Sequence, residues 1–416
     1  MIKIHETLPS ARKKPRLFYG YIIVWLASLT ILVMYGTLYS FGVFFKSVLT
    51  EFGWTRAVTS GAYSLNYLLL GGLGIAMGRL NDKFGPRIIL VISGSLLGLG
   101  YLLMSQISTI WQLYLFYGVM VGIGMSGGFV PMASTVARWF VKRRGLMTGI
   151  MVSGLGVGTV VMPSLASWLI FNHGWRISYI ILGIIAVVVI LLVAQFLRRD
   201  PHQVGQLPYG QSEVKEESLN LQAKGFLLQE AIHTKQFWML CTLFFCHGVG
   251  QQATFVHIVP HAIDMGIPPT IAARILAVIG GLTIIGTLGI GSVIDRTGSK
   301  RALIIVLILM TIVLFWLAVG KQLWVLYLCA AIFGFAFGGI VTAQSPIVAE
   351  FFGLRAHGTI LGMVIFALTI GCATGPLFAG MICDMTNSYY LAFLTCAVLS
   401  VVALILTSLL KPIRKV

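Results

Sequence analysis

His247 is the one titratable side chain that lies deep inside an apolar stretch of this 416-residue chain. The acidic residues all lie in loops or within a turn or two of the end of an apolar stretch, and the basic residues behave in the same way. His247 follows the start of its stretch, near Gln236, by about 16 Å of helix, which is close to half of the ~30 Å hydrocarbon core of a bilayer. An imidazole at that depth can carry a proton or hydrogen-bond an anion, or it can simply bond to a neighbouring helix.

Amide and hydroxyl side chains at similar depth are the other candidates for the polar groups of a binding site. Gln251 lies one turn beyond His247, and Gln252 and Asn66 add amides that would be unfavourable against lipid. The remaining candidates carry hydroxyl groups, although each tyrosine can equally be a packing residue: Tyr35, Tyr39, Tyr117, Thr283, Thr287 and Tyr327. The membrane-embedded His and Cys residues lack the spacing of metal ligands. The sequence therefore predicts a binding site without a metal, a cofactor or a catalytic group.

The composition is that of a polytopic helical membrane protein. Apolar residues make up 58% of the chain and charged residues only 10%, with a mean hydropathy of +0.94, whereas a soluble domain is about one-quarter charged. The cysteines lie in or beside apolar stretches of the second half, where we expect them to pack as small residues rather than form disulfides. Twelve stretches are long enough to cross a bilayer, and we number them spans 1 to 12: 17–45, 57–79, 88–106, 109–136, 145–171, 177–197, 236–264, 270–294, 301–319, 323–348, 358–383 and 388–410.

The chain has a net charge of +17, and the positions of its basic residues follow the membrane topology. With twelve spans both termini lie on one side of the membrane, and that side holds 24 of the 29 Lys and Arg residues. The positive-inside rule therefore places both termini in the cytoplasm. We expect the protein in the plasma or inner membrane. The same distribution argues against a nucleic-acid partner, and the sequence contains no G-x-x-x-x-G-K-[ST] loop for a nucleotide.

The chain contains an internal repeat. The segment Gly78–Arg87 at the end of span 2 matches Gly291–Lys300 at the end of span 8, with Gly, Asp and Gly each 213 residues apart. Gly145 and Gly358, which open spans 5 and 11, have the same offset. An offset near half the chain indicates two homologous six-span bundles. The predicted order is a cytoplasmic tail, a first bundle, a cytoplasmic linker, a second bundle and a cytoplasmic tail: 1–16, 17–197, 198–235, 236–410 and 411–416.

Both repeated segments resemble the signature loop G-x-x-x-D-[RK]-x-G-x-[KR] of the major facilitator superfamily. Trp139–Gly149 is similar to a signature of monocarboxylate transporters, and Tyr19–Tyr21 and Phe44–Lys46 resemble bacterial monocarboxylate and oxalate/formate transporter relatives. The resemblance implies an all-α polytopic membrane fold of twelve helices in two pseudo-symmetric bundles. It also implies a secondary active transporter of a small organic solute, a monocarboxylate or related organic acid, that works by alternating access with proton coupling.

The resemblance gives the two signature loops a gating role. Asp82 is expected to face the start of span 11 near Arg355, and pseudo-symmetry places Asp295 at the start of span 5, where helix N-termini stabilise carboxylates. These contacts would latch the cytoplasmic side while the cavity opens outward, unless they serve only as topological anchors. The residues assigned to this gate are Gly78, Asp82, Gly85, Arg87, Gly291, Asp295, Arg296, Gly298, Arg143, Arg144, Glu350 and Arg355.

Several positions depart from the monocarboxylate-transporter pattern. Alignment on Gly291 puts the carboxylate-binding Arg of that family at Thr287, its accompanying Asp at Thr283 and the Lys of span 1 at about Tyr39. Span 11 also lacks the basic residue of oxalate/formate relatives. Because a buried anion without a cationic partner is unfavourable, two alternatives stay open. They are an organic-anion antiporter of the oxalate/formate type and a carrier of a neutral or zwitterionic molecule.

Two other functional classes are alternatives to a transporter. A membrane enzyme needs a catalytic cluster near one membrane face, and His257, His261 and Asp264 form the single such grouping in the sequence. A sensor or receptor built on the same fold is the second class. We predict a transporter that is not an enzyme, with a small-molecule solute, a proton and the lipid bilayer as its partners and a monomer as its unit.

Overall fold

The computed structural model describes residues 18–54, 56–210, 225–320, 322–386 and 388–411. The predicted N-terminal tail, the linker segment 211–224 and residues 412–416 of the C-terminal tail lie outside these ranges. Apart from one isolated bridge between Phe140 and Tyr209, the regular elements within them are helices. The all-helical fold class that the sequence predicts is confirmed for this part of the chain.

The helices follow the twelve predicted spans. Span 1 is Tyr19–Tyr39, and a turn at Ser40 leads into Phe41–Phe52. The remaining helices of the first half are Arg56–Phe84, Pro86–Met104, Ile110–Trp139 with short interruptions, and Arg144–Phe196. The last of these contains both span 5 and span 6. Gly174, with a φ of 77°, breaks the helical geometry between the two spans. The main helices of the second half are Lys235–Asp264, Pro269–Thr297, Ser299–Val319, Leu323–Phe352, His357–Thr386 and Tyr390–Leu409.

The helices have the length and surface of membrane spans. Nine of those in the described ranges are long and apolar enough to cross a bilayer, with spans 5 and 6 counted as one. Spans 2 and 7, the helices Arg56–Phe84 and Lys235–Asp264, complete the twelve. Large apolar side chains such as Trp25, Leu192 and Ile312 are exposed on the outside of the bundle, as expected for a surface that faces lipid.

The two halves meet at two glycine-lined helix crossings. Spans 2 and 11 cross at Gly78, where an added Cβ would lie 2.2 Å from the carbonyl oxygen of Gly358. Spans 5 and 8 cross at Gly145, where an added Cβ would lie 2.4 Å from the carbonyl oxygen of Gly291. Small residues allow such close backbone approach. The internal repeat of the sequence therefore corresponds to two equivalent contacts between the halves.

Other glycines pack helices together within each half. In the first half, a Cβ added to Gly154 of span 5 would lie 2.1 Å from the carbonyl oxygen of Ser28 in span 1. In the second half, a Cβ added to Gly371 of span 11 would lie 2.2 Å from the carbonyl oxygen of Phe245 in span 7. Spans 5 and 11 thus use glycines for packing both within and between the halves.

The described ends of the linker contact the loops that precede spans 5 and 11. The backbone N–H of Tyr209 donates to the carbonyl oxygen of Trp139 at 2.9 Å, and that of Phe226 donates to the carbonyl oxygen of Phe352 at 2.8 Å. A four-residue helix, Leu228–Ala231, then leads towards span 7. Each end of the linker is therefore attached by a main-chain hydrogen bond to one of the two loops beside the helix crossings.

Candidate functional site

The carboxylate of Asp82 is held at the start of span 11. It accepts hydrogen bonds from the backbone N–H groups of Gly358, at 3.3 Å, and Thr359, at 3.1 Å, and from the Thr359 hydroxyl at 3.2 Å. These amides belong to the first turn of the helix that begins at His357, where a negative charge is stabilised by the helix dipole. Arg138 at the end of span 4 donates to the same carboxylate at 3.0 Å.

The contact of Asp82 with span 11 is the one that the resemblance implied, but its cationic partner differs from the expected one. Arg138 forms the ion pair, whereas Arg355 lines a neighbouring cavity. Arg138 also donates to the carbonyl oxygen of Leu354 at 3.2 Å and lies 3.7 Å from the carboxylate of Asp200. A side chain from the first half therefore bonds to both halves at this point. The packing of span 4 against spans 2 and 11 brings it there, so spacing in the sequence gives no signal for it.

Asp295 makes the equivalent contact at the start of span 5. Its carboxylate accepts hydrogen bonds from the backbone N–H groups of Gly145 at 2.6 Å and Leu146 at 2.8 Å. Arg143 precedes this helix with a φ of 60° and is the single non-glycine residue with a positive φ in the described part of the chain. Arg143 and Arg144 lie within electrostatic range of the carboxylate. The predicted contact with the Gly145 end of span 5 is confirmed, and its gating role stays a prediction.

The remaining glycines and the glutamate of the predicted gate shape the helix ends. Gly85, with a φ of 84°, separates spans 2 and 3, and Gly298, with a φ of 88°, separates spans 8 and 9. This backbone region is readily available only to glycine. Glu350 accepts a hydrogen bond from the backbone N–H of Ser299 at 3.0 Å, so it stabilises the N-terminus of span 9.

Within the described ranges, two arginines of the predicted gate form no hydrogen bond or ion pair with the other half. Arg87 donates to the side chain of Gln195 at 2.6 Å, within the first half. Arg296 is exposed.

A further contact between the halves at this end is made by Ser345 of span 10. Its side chain is fully buried and donates to the carbonyl oxygen of Ala133 in span 4 at 3.3 Å.

A cavity of about 380 Å³ lies between the two halves, displaced from the closed end towards the opposite end of the spans. Tyr39, Thr159 and Ser164 line it from the first half, and Phe255 and Thr283 line it from the second. Its other lining residues are Leu155, Val160, Pro163, Leu276, Ala277, Ile279, Gly280 and Phe337. The described lining therefore offers hydroxyl groups, aromatic rings and aliphatic surface but no charged side chain.

Tyrosines extend from this cavity into the first half. The ring centroids of Tyr63 and Tyr67 are 5.1 Å apart and those of Tyr35 and Tyr39 are 6.5 Å apart. Tyr67 also lies within electrostatic range of Tyr39. Cys372 of span 11, in the other half, lies within electrostatic range of Tyr35, Tyr39 and Tyr63. Tyr63 and Cys372 are not among the sequence-predicted site residues. The four-residue spacing of Tyr35 with Tyr39 and of Tyr63 with Tyr67 is the pattern that could have indicated this cluster.

His247 is buried inside the second half. Its side chain is 3% exposed, so it does not face lipid, and its Nε2 atom has no hydrogen-bond partner in the described part of the chain. Gln251 is 9% exposed with an unpartnered Oε1 atom, and Gln252 is half-buried. These side chains are not among those that line the 380 Å³ cavity. The depth of a residue along a helix can be predicted from the sequence, whereas the direction in which the imidazole points depends on how span 7 packs against its neighbours.

The buried amide of Asn66 connects two helices of the first half. Its Nδ2 atom donates to the carbonyl oxygen of Tyr117 at 2.9 Å, and the Tyr117 hydroxyl donates to the carbonyl oxygen of Leu38 at 3.4 Å. The Tyr327 hydroxyl likewise donates to the carbonyl oxygen of Ile271 at 3.1 Å. These donors are occupied by main-chain carbonyls, as buried polar groups require.

The two threonines at the positions of the family's charged residues also bond to the main chain. The Thr283 hydroxyl donates to the carbonyl oxygen of Ile279 at 2.7 Å, and the Thr287 hydroxyl donates to that of Ile284 at 2.8 Å. Thr283 lines the cavity, whereas Thr287 does not. Among the predicted solute-site residues, the structure therefore places Tyr39 and Thr283 together at the cavity.

The chain is similar to known transporters. Among curated proteins it is 26% identical to "Monocarboxylate transporter 13" of Rattus norvegicus, over 94% of this chain and 87% of the relative. It is 23% identical to "Monocarboxylate transporter 7" of Homo sapiens, over 91% and 84%. It is 28% identical to the "Uncharacterized MFS-type transporter YhjX" of Escherichia coli (strain K12), over 76% and 77%.

The fold matches solved structures, and a family model matches nearly the whole chain. The proton:xylose symporter XylE superposes with a TM-score of 0.77 at 16% identity, over 93% of this chain and 94% of that one. FucP in the outward conformation superposes with a TM-score of 0.71 at 16% identity, over 94% and 99%. The model of the Major Facilitator Superfamily matches residues 27–319 and 282–416. The chain therefore belongs to the Major Facilitator Superfamily and is an integral membrane transporter of a small molecule rather than an enzyme.

Proposed function

We propose that this chain is a secondary active transporter that moves a small organic acid by alternating access, together with a proton. The observation that carries the proposal is a solute-sized cavity between two pseudo-symmetric halves whose opposite end is sealed by Asp82 and Asp295. Relatives named monocarboxylate transporters support the substrate class. The excess of basic residues at the sealed end supports its assignment to the cytoplasm.

The proposed cycle uses the two carboxylate contacts as a latch. While Asp82 and Asp295 hold the starts of spans 11 and 5, the cytoplasmic end is closed and the cavity is accessible from outside. Each contact contributes about 0.3–2 kcal/mol, which is enough to bias two states that differ by a few kcal/mol. Rocking of the halves would break both contacts and expose the cavity to the cytoplasm.

The lining of the cavity sets a condition on the solute. A carboxylate buried among the hydroxyl and apolar groups around Tyr39 and Thr283 would have no cationic partner, and its desolvation would be unfavourable. We propose that the solute binds as its protonated acid, or that His247 binds the proton while the acid occupies the cavity. An organic-anion antiporter of the oxalate/formate type and a carrier of neutral or zwitterionic molecules are the alternatives.

Uptake into proteoliposomes tests this function. We expect radiolabelled short-chain monocarboxylic acids to accumulate under an inward proton gradient and to lose that accumulation when a protonophore is added. Protein-free liposomes control for passive entry of the protonated acid. Equal uptake of the matching amide or alcohol with no response to the gradient would contradict proton coupling and favour a neutral solute. Uptake only in vesicles preloaded with a second organic anion would favour an antiporter.

A further inference from the structure

A cavity of about 510 Å³ lies beside the Asp82 contact and is lined by both halves and by the linker. Arg79 and Lys83 line it from the end of span 2, and Arg355 lines it from the loop before span 11. Leu227 and Gln229 of the linker line it as well. This cavity is separate from the 380 Å³ cavity, since the two share no lining residue.

The side chains of this cavity carry an excess of positive charge. Arg79, Lys83 and Arg355 contribute three cations, and Asp82 is the single carboxylate among the described lining residues. That carboxylate already accepts bonds from Arg138 and from the first turn of span 11. Within the described ranges, the guanidinium groups of Arg79 and Arg355 have no hydrogen bond or ion pair. Three neighbouring cations, beside one carboxylate that is already hydrogen-bonded to other groups, favour the binding of an anion.

Exposed apolar side chains lie at the cavity or next to its lining residues in the sequence, and we refer to them as its rim. Leu227 lines the cavity and is 40% exposed. Leu80 and Phe84, which directly follow the lining residues Arg79 and Lys83, are 38% and 52% exposed. Lys83 extends over the ring of Phe84, with its Nζ atom 5.1 Å from the ring centroid. A soluble anion gains nothing from such a rim, whereas the acyl chains of a lipid can cover it. Basic groups beside apolar surface at the cytoplasmic boundary are the general pattern of sites for anionic headgroups.

We infer that this cavity binds a phosphate group, supplied by an anionic membrane lipid whose chains cover Leu80 and Phe84. The bound phosphate contacts Arg79 and Lys83 of the first half and Arg355 of the second, so it links the halves at the closed end. Binding therefore stabilises the closed state relative to the state in which these side chains separate. This ligand is a regulator, and its site does not depend on which solute is transported.

Titration of the purified protein in a neutral detergent tests the site directly. The probes are dihexanoyl phosphatidylglycerol, dihexanoyl phosphatidylcholine and inorganic phosphate, and the readout is the thermal unfolding midpoint. We expect a saturable rise with phosphatidylglycerol that weakens as salt is added. The Arg79→Gln/Arg355→Gln variant should bind at least about fivefold more weakly. Arg301→Gln, an exposed arginine at the same end that does not line the cavity, should bind as the unmodified chain does.

A charge-preserving variant keeps the test valid if the double variant folds poorly. Arg79→Lys/Arg355→Lys retains both cations and should keep phosphatidylglycerol binding within about threefold of the unmodified chain. Equal binding of phosphatidylglycerol by the Gln variant, or equal binding of phosphatidylcholine by the unmodified chain, would overturn the anion site. Inorganic phosphate that binds as tightly as phosphatidylglycerol would overturn the lipid as the source. Because the readout is binding, these results stand whether or not the chain transports an acid.

Discussion

Asp295 and Gly145 are 150 residues apart in the sequence, yet the carboxylate of Asp295 accepts a 2.6 Å hydrogen bond from the backbone N–H of Gly145. Asp82 and Gly358, 276 residues apart, form the equivalent contact at 3.3 Å. Each contact joins a span of one half to the start of a span in the other. Separation of the halves at this end therefore has to break both.

Neutralising these carboxylates should open the closed end. Asp82→Asn and Asp295→Asn each remove a charge that a helix N-terminus stabilises by about 0.3–2 kcal/mol, which corresponds to about a 2- to 30-fold shift between the two states. Ser345→Cys, at a buried position beside Ala133, reports the opening through its rate of maleimide labelling. The rate should rise in both Asn variants and remain unchanged in Asp264→Asn, an exposed carboxylate at the far end of span 7. Unchanged labelling in both variants would show that the loops are anchors without a gating role.

The glycine crossings should tolerate no side chain. In Gly78→Ala the new Cβ would lie 2.2 Å from the carbonyl oxygen of Gly358, and in Gly145→Ala it would lie 2.4 Å from that of Gly291. Backbone atoms cannot swing away, so the halves must move apart and transport should fall at least about tenfold. Gly74→Ala is the matched control in the same helix as Gly78, since its Cβ would lie 4.0 Å from Val130. Comparable loss of transport in Gly74→Ala would indicate a general helix effect instead.

The hydroxyl of Tyr39 should contribute to solute binding. Tyr39 lines the cavity, so Tyr39→Phe removes a polar group that a carboxylic acid can use. A lost hydrogen bond of about 0.5–1.5 kcal/mol predicts a rise in KM of about 2- to 13-fold. Tyr179→Phe is the control, because its buried hydroxyl lies outside the cavity lining and has no partner in the described part of the chain. The KM of each variant is measured from initial uptake rates. Equal KM values for the two variants would contradict a solute-binding role for Tyr39.

We expect His247 to bind the proton that is transported together with the solute. His247→Gln keeps a hydrogen-bonding side chain of similar size but cannot be protonated. We expect accumulation driven by a proton gradient to be lost while solute exchange at equal pH on both sides continues. His261→Gln, at the far end of the same helix, should retain gradient-driven accumulation. Full gradient-driven uptake by His247→Gln would assign the proton to the solute itself.

The pair Glu51–Arg176 at the end opposite the latch should make stability depend on pH. The hydrogen bond from Arg176 holds the pKa of Glu51 below its ordinary value of 4.5, and Trp175 donates to the same carboxylate at 2.6 Å. A lowered pKa stabilises the fold above pH 4.5, and this contribution disappears as the pH falls through the lower, folded-state pKa. Because both side chains are more than one-third exposed, the effect should be below ~1 kcal/mol. At neutral pH the thermal unfolding midpoint of Glu51→Gln should therefore be lower than that of the unmodified chain. In acid the two midpoints should become equal.

The resemblance to the major facilitator superfamily implied that Asp82 would contact the start of span 11, and the repeat then predicted the equivalent contact of Asp295 with the start of span 5. Two copies of one loop, each 213 residues from its partner, fix pairs of equivalent positions without any knowledge of packing. The role of Arg138 could not be predicted, because it depends on how the end of span 4 meets span 11. The lining of the cavity was predicted only at Tyr39 and Thr283, since depth in the membrane says nothing about the direction in which a side chain points. Asn66 and Tyr117 illustrate this limit, because their mid-depth polar groups bond to main-chain carbonyls within the first half.

Alternating access is tested most directly by distances across both ends of the molecule in one experiment. Spin labels at Lys142→Cys and Arg301→Cys report the latch end, and labels at Asn172→Cys and Gln322→Cys report the opposite end, in a background without native cysteines. All four positions are exposed. Adding a transported acid at acidic pH in nanodiscs should lengthen the first distance and shorten the second. Two distances that stay fixed, or that change in the same direction, would contradict rocking of the two halves about the central cavity.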